Sequence, residues 1–213
     1  GGTNKVTLSK AGLTVTADDQ SRVYGAANPT LTYTISGYVN SENATTAGVT
    51  GAPTISTTAT STTGVGAATI TAAANNLAAA NYSFSYANGT LTITKAPLGI
   101  ALAATYNGTT TYTTGISTSG LVNSETITGI TINNANVANN SSNYITGITA
   151  GTANLANYAL YSTANTGSTG TLTGSVYAGT VSSNTNSGGT NKVTLSKAGL
   201  TVTADSDSKT YGQ

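Results

Sequence analysis

The stretch Tyr82-Ser-Phe-Ser-Tyr-Ala-Asn-Gly-Thr-Leu-Thr-Ile93 alternates large apolar with small polar side chains on both sides of an Asn-Gly pair. Alternation with period two puts every second side chain on one face of a strand. Asn88-Gly89 suits a two-residue type I′ turn, in which both residues take positive φ. The stretch therefore reads as a hairpin, with Tyr86 opposite Leu91 and Phe84 opposite Ile93. These four share one face, and Ser83, Ser85, Thr92 and Thr94 share the other. The same alternation runs through Leu13–Ala17, Leu31–Ile35, Thr69–Thr71 and, with gaps, Leu172–Val176. Thr, Val, Ile and Tyr favour strands because branched and aromatic side chains pack well on a pleated surface. Helix signals are confined to one turn over Asn75–Ala80 and a short helix over Ser41–Ala47 with Ser41 as its cap, both too short to stand without packing. The expected fold is all-β: tandem small β-sandwich domains of immunoglobulin-like type in an elongated rod. A β-grasp-like domain with one short helix near Ser41 is the alternative.

Outward from this stretch the chain repeats itself. Gly1–Asp18 (GGTNKVTLSKAGLTVTAD) recurs letter for letter at Gly188–Asp205, 187 residues later. Within that period a second echo runs in constant order. Lys10-Ala-Gly-Leu13 is echoed by Lys95-Ala-Pro-Leu98 and Lys197-Ala-Gly-Leu200, and Tyr24-Gly25 by Tyr106-Asn-Gly108. Ser36-Gly-Tyr-Val-Asn-Ser-Glu42 is echoed by Ser119-Gly-Leu-Val-Asn-Ser-Glu125. Asn76–Tyr82 is echoed by Asn154–Tyr158, and Gly89–Thr92 by Gly170–Thr173. The reading is two related β domains, residues 11–95 and 96–197. Residues 1–10 end a preceding repeat and 198–213 start the next. So little chain separates Leu8 from Leu13 that the last strand of one domain runs almost directly into the first of the next, whereas a flexible joint needs a longer Gly/Ser tether. Ala178–Gly189 reads as a loop inside the second domain, before a final strand at Lys192–Ser196.

Composition excludes whole classes of chemistry. The chain has no Cys, His, Met or Trp, which removes thiol nucleophiles, thiolate and imidazole metal ligands, and the commonest general base. With 6% charged residues and a net charge of +1, it has no basic field to grip nucleic acid. No run of apolar residues is long enough for a membrane-spanning helix. Polar Thr, Ser and Asn supply the solubility that charge supplies in most cytosolic proteins, a composition associated with exported bacterial surface proteins. The regular placement of the apolar 38% argues against disorder.

Residues 13–95 resemble the MBG domain of the YGX type. The carrying features are Leu13-Thr-Val-Thr-Ala-Asp18, Tyr24-Gly25 followed by Asn28-Pro29, the loop containing Gly37, Asn81-Tyr82, and Gly89-Thr-Leu-Thr-Ile93. Residues 98–203 resemble the YDG domain through Tyr106-Asn107-Gly108, with Asn107 in place of that family's usual Asp. The resemblance implies tandem arrays in large exported adhesins, including haemagglutinin-like and biofilm-matrix proteins. It brings no catalytic residues. The expected role is thus a structural stalk or fibre segment at the bacterial cell surface, giving reach and stiffness, and not an enzyme. Its partners are neighbouring repeats of the same chain. Alternatives are a self-associating extracellular filament, with other copies as partners, and a weak carbohydrate-binding module acting by avidity.

Few side chains offer themselves as sites, and each has a plainer account. Asp18, Asp19, Asp205 and Asp207 follow a first strand near a junction and are the candidate calcium ligands, since hard oxygens suit that ion. No dense Asp-x-Asp-x-Asp loop appears, and solvated turn residues account for them; no other cofactor is expected. Glu42 and Glu125 occupy equivalent positions in different domains, which points to a shared structural task such as a loop hydrogen bond. Lys10, Lys95 and Lys197 stand at equivalent junctions, either as isopeptide donors or as edge-strand lysines that discourage sheet pairing. The sequons at Asn43, Asn81, Asn88, Asn107 and Asn139 are expected by chance in an Asn- and Thr-rich chain. Tyr33, Tyr82, Tyr86, Tyr144, Tyr158 and Tyr161 could stack on sugars, but most fall in phase with the core face.

Overall fold

A computed structural model describes residues 6–139, 143, 145–160, 168–173, 176–181 and 193–201. Nearly all regular structure is β, in a sandwich-type arrangement of mixed sheets. The chain forms two compact units. The first comprises Gly1–Leu98, Gly120–Thr126 and Ala153–Ala159, and the second Gly99–Ser119, Ile127–Thr152 and Leu160–Gln213.

The first unit starts with β1 (Ala11–Ala17), β2 (Gln20–Val23), β3 (Tyr33–Ser36), β4 (Thr54–Ser56), β5 (Gly66–Ala73), β6 (Tyr82–Ala87) and β7 (Gly89–Thr94). One sheet has the order β3-β1-β6 and the other β2-β7-β5-β4. Alternate residues of both point into a shared core: Leu13, Val15 and Ala17 of β1 and Tyr82 of β6 meet Ile70 and Ala72 of β5 and Leu91 and Ile93 of β7. Period-two alternation is thus half-burial on a sheet with one wet face.

The expected hairpin at Asn88-Gly89 does not form. β6 runs parallel to β1, with Leu13 beside Phe84 and Val15 beside Tyr86. β7 lies in the opposite sheet, parallel to β2 and antiparallel to β5. Neither Asn88 nor Gly89 has positive φ. Gly89 is needed for another reason: a Cβ there would lie 2.4 Å from the Ala17 carbonyl oxygen, so glycine lets the chain cross from one sheet to the other over the end of β1. The apolar residues of the stretch all face inward, as expected, but from two sheets.

The helix expected at Ser41–Ala47 is also absent. Ser41 lies in the left-handed region, and a single turn follows from Asn43 (Ala47 N to Asn43 O, 2.8 Å). Asn43 is its cap, accepting from the backbone N of Thr45 and Thr46 at 3.0 and 3.1 Å. Ala78 pairs with Thr50 in an isolated bridge instead of continuing a helical turn. Helical structure among the described residues consists of two 3-10 turns, Val137–Asn139 and Leu155–Asn157.

The chain continues through β8 (Ala96–Thr105), β9 (Thr111–Tyr112), β10 (Ile116–Ser119), β11 (Ile127–Ile132), β12 (Ile145–Ala150), β13 (Tyr158–Leu160), β14 (Ser168–Thr173), β15 (Val176–Val181) and β16 (Val193–Ser196). In the second unit β8 pairs antiparallel with β10 and parallel with β16. The other sheet has the order β14-β15-β12-β11-β9. Ile100, Leu102, Tyr112, Ile130, Ile132, Ile145, Ile148, Val193 and Leu195 are buried. Leu172–Val176, read as one interrupted strand, is the junction of β14 and β15, with Thr173 paired to Val176. Of the expected loop Ala178–Gly189, residues 178–181 are strand and the rest lies outside the described residues, as do Tyr144 and Tyr161.

The first unit's opening is built again in the second half. β2 runs parallel to β7 until Val23 faces Thr94, and the Tyr24 N–H then donates to Thr94 O at 2.8 Å. β8 runs parallel to β16 until Thr105 faces Ser196, and the Tyr106 N–H donates to Ser196 O, also at 2.8 Å. The duplicated segment meets a different environment at each occurrence. Val193 and Leu195 are 0% and 1% exposed, whereas their counterparts Val6 and Leu8 are 83% and 91% exposed; conversely Leu13 is 0% and its counterpart Leu200 89% exposed.

Candidate functional site

Two identical tetrapeptides, Val39-Asn-Ser-Glu42 and Val122-Asn-Ser-Glu125, fold alike. In each the middle residues are left-handed: Asn40 and Ser41 at φ 52° and 59°, Asn123 and Ser124 at 54° and 58°. In each the Glu N–H donates to the Val carbonyl at 3.0 Å. This is the type I′ pattern, and Asn tolerates its first position better than most residues.

Each turn presents its glutamate to a buried tyrosine from a later strand. Tyr82 Oη donates to Glu42 Oε2 at 2.5 Å and accepts from the Val39 N–H at 3.2 Å. Tyr158 Oη donates to Glu125 Oε2 and accepts from the Val122 N–H at 3.2 Å. One phenol thus ties both ends of the turn, with a charge-assisted bond at the acid. The equivalence of Glu42 and Glu125 read from the sequence is a shared loop hydrogen bond, with the tyrosine as its unforeseen second half.

The second turn carries one more partner. Tyr24 Oη donates to Glu125 Oε1 at 2.6 Å, and its ring meets Tyr158 edge-to-face, with centroids 5.6 Å apart and planes at 84°. Glu125 is therefore clasped by two phenols, one on each oxygen. Burial, then the bond to Glu125, raises the Tyr24 and Tyr158 phenols above their ordinary value. For Tyr82 the bond to Glu42 is the leading cause of a rise. Next to Tyr24, Gly25 (φ 81°) rests on Val122 so closely that a Cβ would fall 2.4–2.7 Å from that side chain. Asn123 and Asn157 complete the contact, donating to Ser61 O at 3.4 Å and accepting from the Val65 N–H at 2.9 Å.

Arg22 is the residue that sequence reasoning passed over. It is buried, and its guanidinium spends its donors on neutral oxygens: Nε on Asn28 Oδ1 at 2.8 Å, Nη1 on Val23 O at 3.1 Å and Nη2 on Thr60 O at 2.5 Å. Asn28 Nδ2 adds a bond to Ala59 O at 2.7 Å. The guanidinium staples two loops beside Tyr24. Its only sequence signal was a single Arg two residues before the Tyr-Gly pair.

Residues 13–92 match the family model of the MBG domain (YGX type). No curated protein and no solved structure matches the chain. The matched segment holds Tyr24, Arg22, Asn28 and the Glu42 turn, whose side chains make the loop hydrogen bonds described above.

The other candidates are dispersed. Asp18 Oδ1 accepts from Thr34 Oγ1 at 2.8 Å, and Asp19 Oδ1 accepts from the Thr90 N–H at 2.7 Å, pinning the β1–β2 corner to β3 and β7. Asp205 and Asp207 lie outside the described residues. Among the described residues no group of three or more His, Cys, Asp or Glu could hold a metal ion, and no helix is long and apolar enough to cross a membrane. Lys10 donates to Ala79 O at 3.1 Å, and Lys95 and Lys197 are exposed. Of the tyrosines considered for sugar stacking, Tyr82 and Tyr158 are buried, Tyr86 is half-buried and Tyr33 lies at the surface.

Proposed function

We propose that this chain is a structural stalk segment of a giant repetitive bacterial surface adhesin, whose work is to hold a distal binding element away from the cell. The observation that carries this reading is the duplicated segment. Its closing part, Val193–Ser196, is seated in a sheet at one occurrence and its equivalent Val6–Ser9 is bare at the other. Its opening part is seated at Leu13 and bare at Leu200. Burying an aliphatic side chain of this size stabilises by about 1.5–3 kcal/mol, so each end has reason to be completed by a further repeat. In this reading residues 11–95 and 96–197 are alternating domains, the second YDG-like. Residues 1–10 and 198–213 belong to the neighbouring repeats. Stability would then be shared along a quasi-one-dimensional array.

The MBG match supports the same reading, because the resemblance places such domains in surface-associated repeat proteins. Glutamates engaged by phenols, with no nucleophile–base pair beside them, support a role in cohesion over catalysis. The test is small-angle scattering from a two-period chain, made of residues 1–187 followed directly by a complete second copy. An extended particle is expected, and a compact globule would overturn the proposal. The bare Val6–Ser9 segment also favours a second reading, self-association by strand exchange with β16 of another copy. Concentration-dependent polymerisation of the single chain would select it.

A further inference from the structure

The two Val-Asn-Ser-Glu turns differ in one respect. Glu125 holds Tyr158 and Tyr24, whereas Glu42 holds Tyr82 alone among the described residues. Val122 lies under Gly25, whereas its counterpart Val39 is 46% exposed. Tyr38, which stands where the second turn has Leu121, meets Tyr82 edge-on at 6.0 Å. No hydrogen bond joins it to Glu42. The first turn is therefore half of the clasp seen at the second, with an open carboxylate oxygen and a bare valine.

The missing half is present elsewhere in the chain. Tyr106 matches Tyr24 in the strand pairing before it and in its backbone bond, as described above. Gly108 has φ 80° against 81° for Gly25, and a Cβ on it would meet nothing. Tyr106 is 43% exposed. A cleft beside Tyr106 is walled by Lys197–Leu200, and a cleft beside Glu42 and Tyr82 is walled by Leu8–Ala11. Lys197-Ala198 and Lys10-Ala11 are the same two residues of the duplicated segment. Each cleft is thus walled in part by one copy of the duplicated segment, and the two walls share its Lys-Ala pair.

We infer that the Tyr106 end of one copy of this chain docks on the Glu42 turn of the next copy, with the Tyr106 phenol donating to the open Glu42 oxygen and Gly108 settling on Val39. Every joint of the array is then closed by the same clasp, one carboxylate between two phenols. The occupant of the Glu42 cleft is a second copy of this chain, joined through the shared segment. This inference rests on the tandem reading proposed above.

The two-period chain tests it through tyrosine nitration, which consumes phenolate. A bond to a carboxylate holds a phenol protonated, and each pKa unit of elevation lowers the phenolate fraction about tenfold. In the single chain Tyr106 reacts in one fast phase, and Tyr24, already clasped, reacts slowly. In the two-period chain half of the Tyr106 signal is expected to become at least about tenfold slower, because only the first copy has a successor. Glu42→Ala in the second copy alone restores the single fast phase; the same change in the first copy does not. Glu42→Gln, which preserves side-chain size, serves if the alanine variant unfolds, and it too should speed the slow phase. One fast Tyr106 phase in an extended particle overturns the clasp and leaves the tandem reading standing. Protection that survives both substitutions in the second copy overturns Glu42 as the acceptor. One fast phase in a compact particle overturns the tandem reading along with the clasp.

Discussion

Leu8 and Leu195 are the same residue in the same eighteen-residue sequence, so local propensity around them is identical and only their packing differs. Leu195 is fully buried in β16, opposite Ala104 of β8. Leu8 is almost fully exposed. Replacing a buried leucine by alanine costs about 2–5 kcal/mol, the transfer free energy of the lost methyl groups plus the cavity left behind. A surface leucine without partners costs within about 0.5 kcal/mol. With a urea m-value of about 1.5–2 kcal/mol/M, a loss of about 3 kcal/mol moves a midpoint down by about 1.5–2 M. Leu195→Ala should therefore shift the transition of the second unit by that amount, while Leu8→Ala leaves every transition in place. Urea unfolding of the single chain, followed by circular dichroism and by tyrosine emission, measures both. Equal shifts for the two variants, or none for Leu195→Ala, would refute the assignment of β16 as the strand that closes the second unit. In the two-period chain the second copy's Leu8 takes the place that Leu195 fills in the single chain, and its replacement should there cost as much.

Two further outcomes can be checked on the same protein. Gly25→Ala and Gly108→Ala both place a side chain at φ near 80°, costing about 1 kcal/mol from backbone strain alone, but only Gly25 has Val122 against it. In thermal melts Gly25→Ala should be the more damaging, and adding Val122→Ala should recover the difference; a double-mutant cycle with no coupling would contradict the contact. The raised phenols set the alkaline limit. Tyr24, Tyr82 and Tyr158 have folded pKa values above the unfolded value of 10.0, so the neutral form is favoured in the fold. Their stabilisation is complete below pH 10 and lost as pH rises through the folded values. Melting temperature should be level toward pH 9 and fall above 10, and Tyr24→Phe with Tyr158→Phe should flatten that fall.

The alternation around Leu13, Thr69 and Phe84 was readable because half-burial on a sheet imposes it directly. Which strands pair was not. Asn88-Gly89 satisfies the local chemistry of a hairpin, but partner choice is decided by burial across the sandwich, and β7 buries Leu91 and Ile93 from the sheet opposite β6. The left-handed demand was instead met at Asn40-Ser41 and Asn123-Ser124, where no glycine advertised it. The glutamates were legible as a matched pair because repetition keeps equivalent positions in order. Their tyrosines were not singled out for them, since a buried Tyr in phase with the core gives no sign of where its hydroxyl points. Arg22 was invisible for a related reason: its oxygen partners are mostly main-chain carbonyls, which no sequence pattern displays.

The parallel pairing of opening and closing strands has a mechanical consequence. β2 stands near the entrance of its fold and β7 at its exit, and their four register pairs run from Gln20 beside Leu91 to Val23 beside Thr94. Once β1 has yielded, tension entering at β2 and leaving after β7 draws two neighbouring parallel strands in opposite directions. The hydrogen bonds between them are then loaded together, in shear, and none can be opened singly from an end. β8 and β16 present the same four-pair arrangement. Rupture under force is governed by the unfolding barrier and not by equilibrium stability. A segment with a modest core can thus bear load by the direction in which its strands leave the sheet.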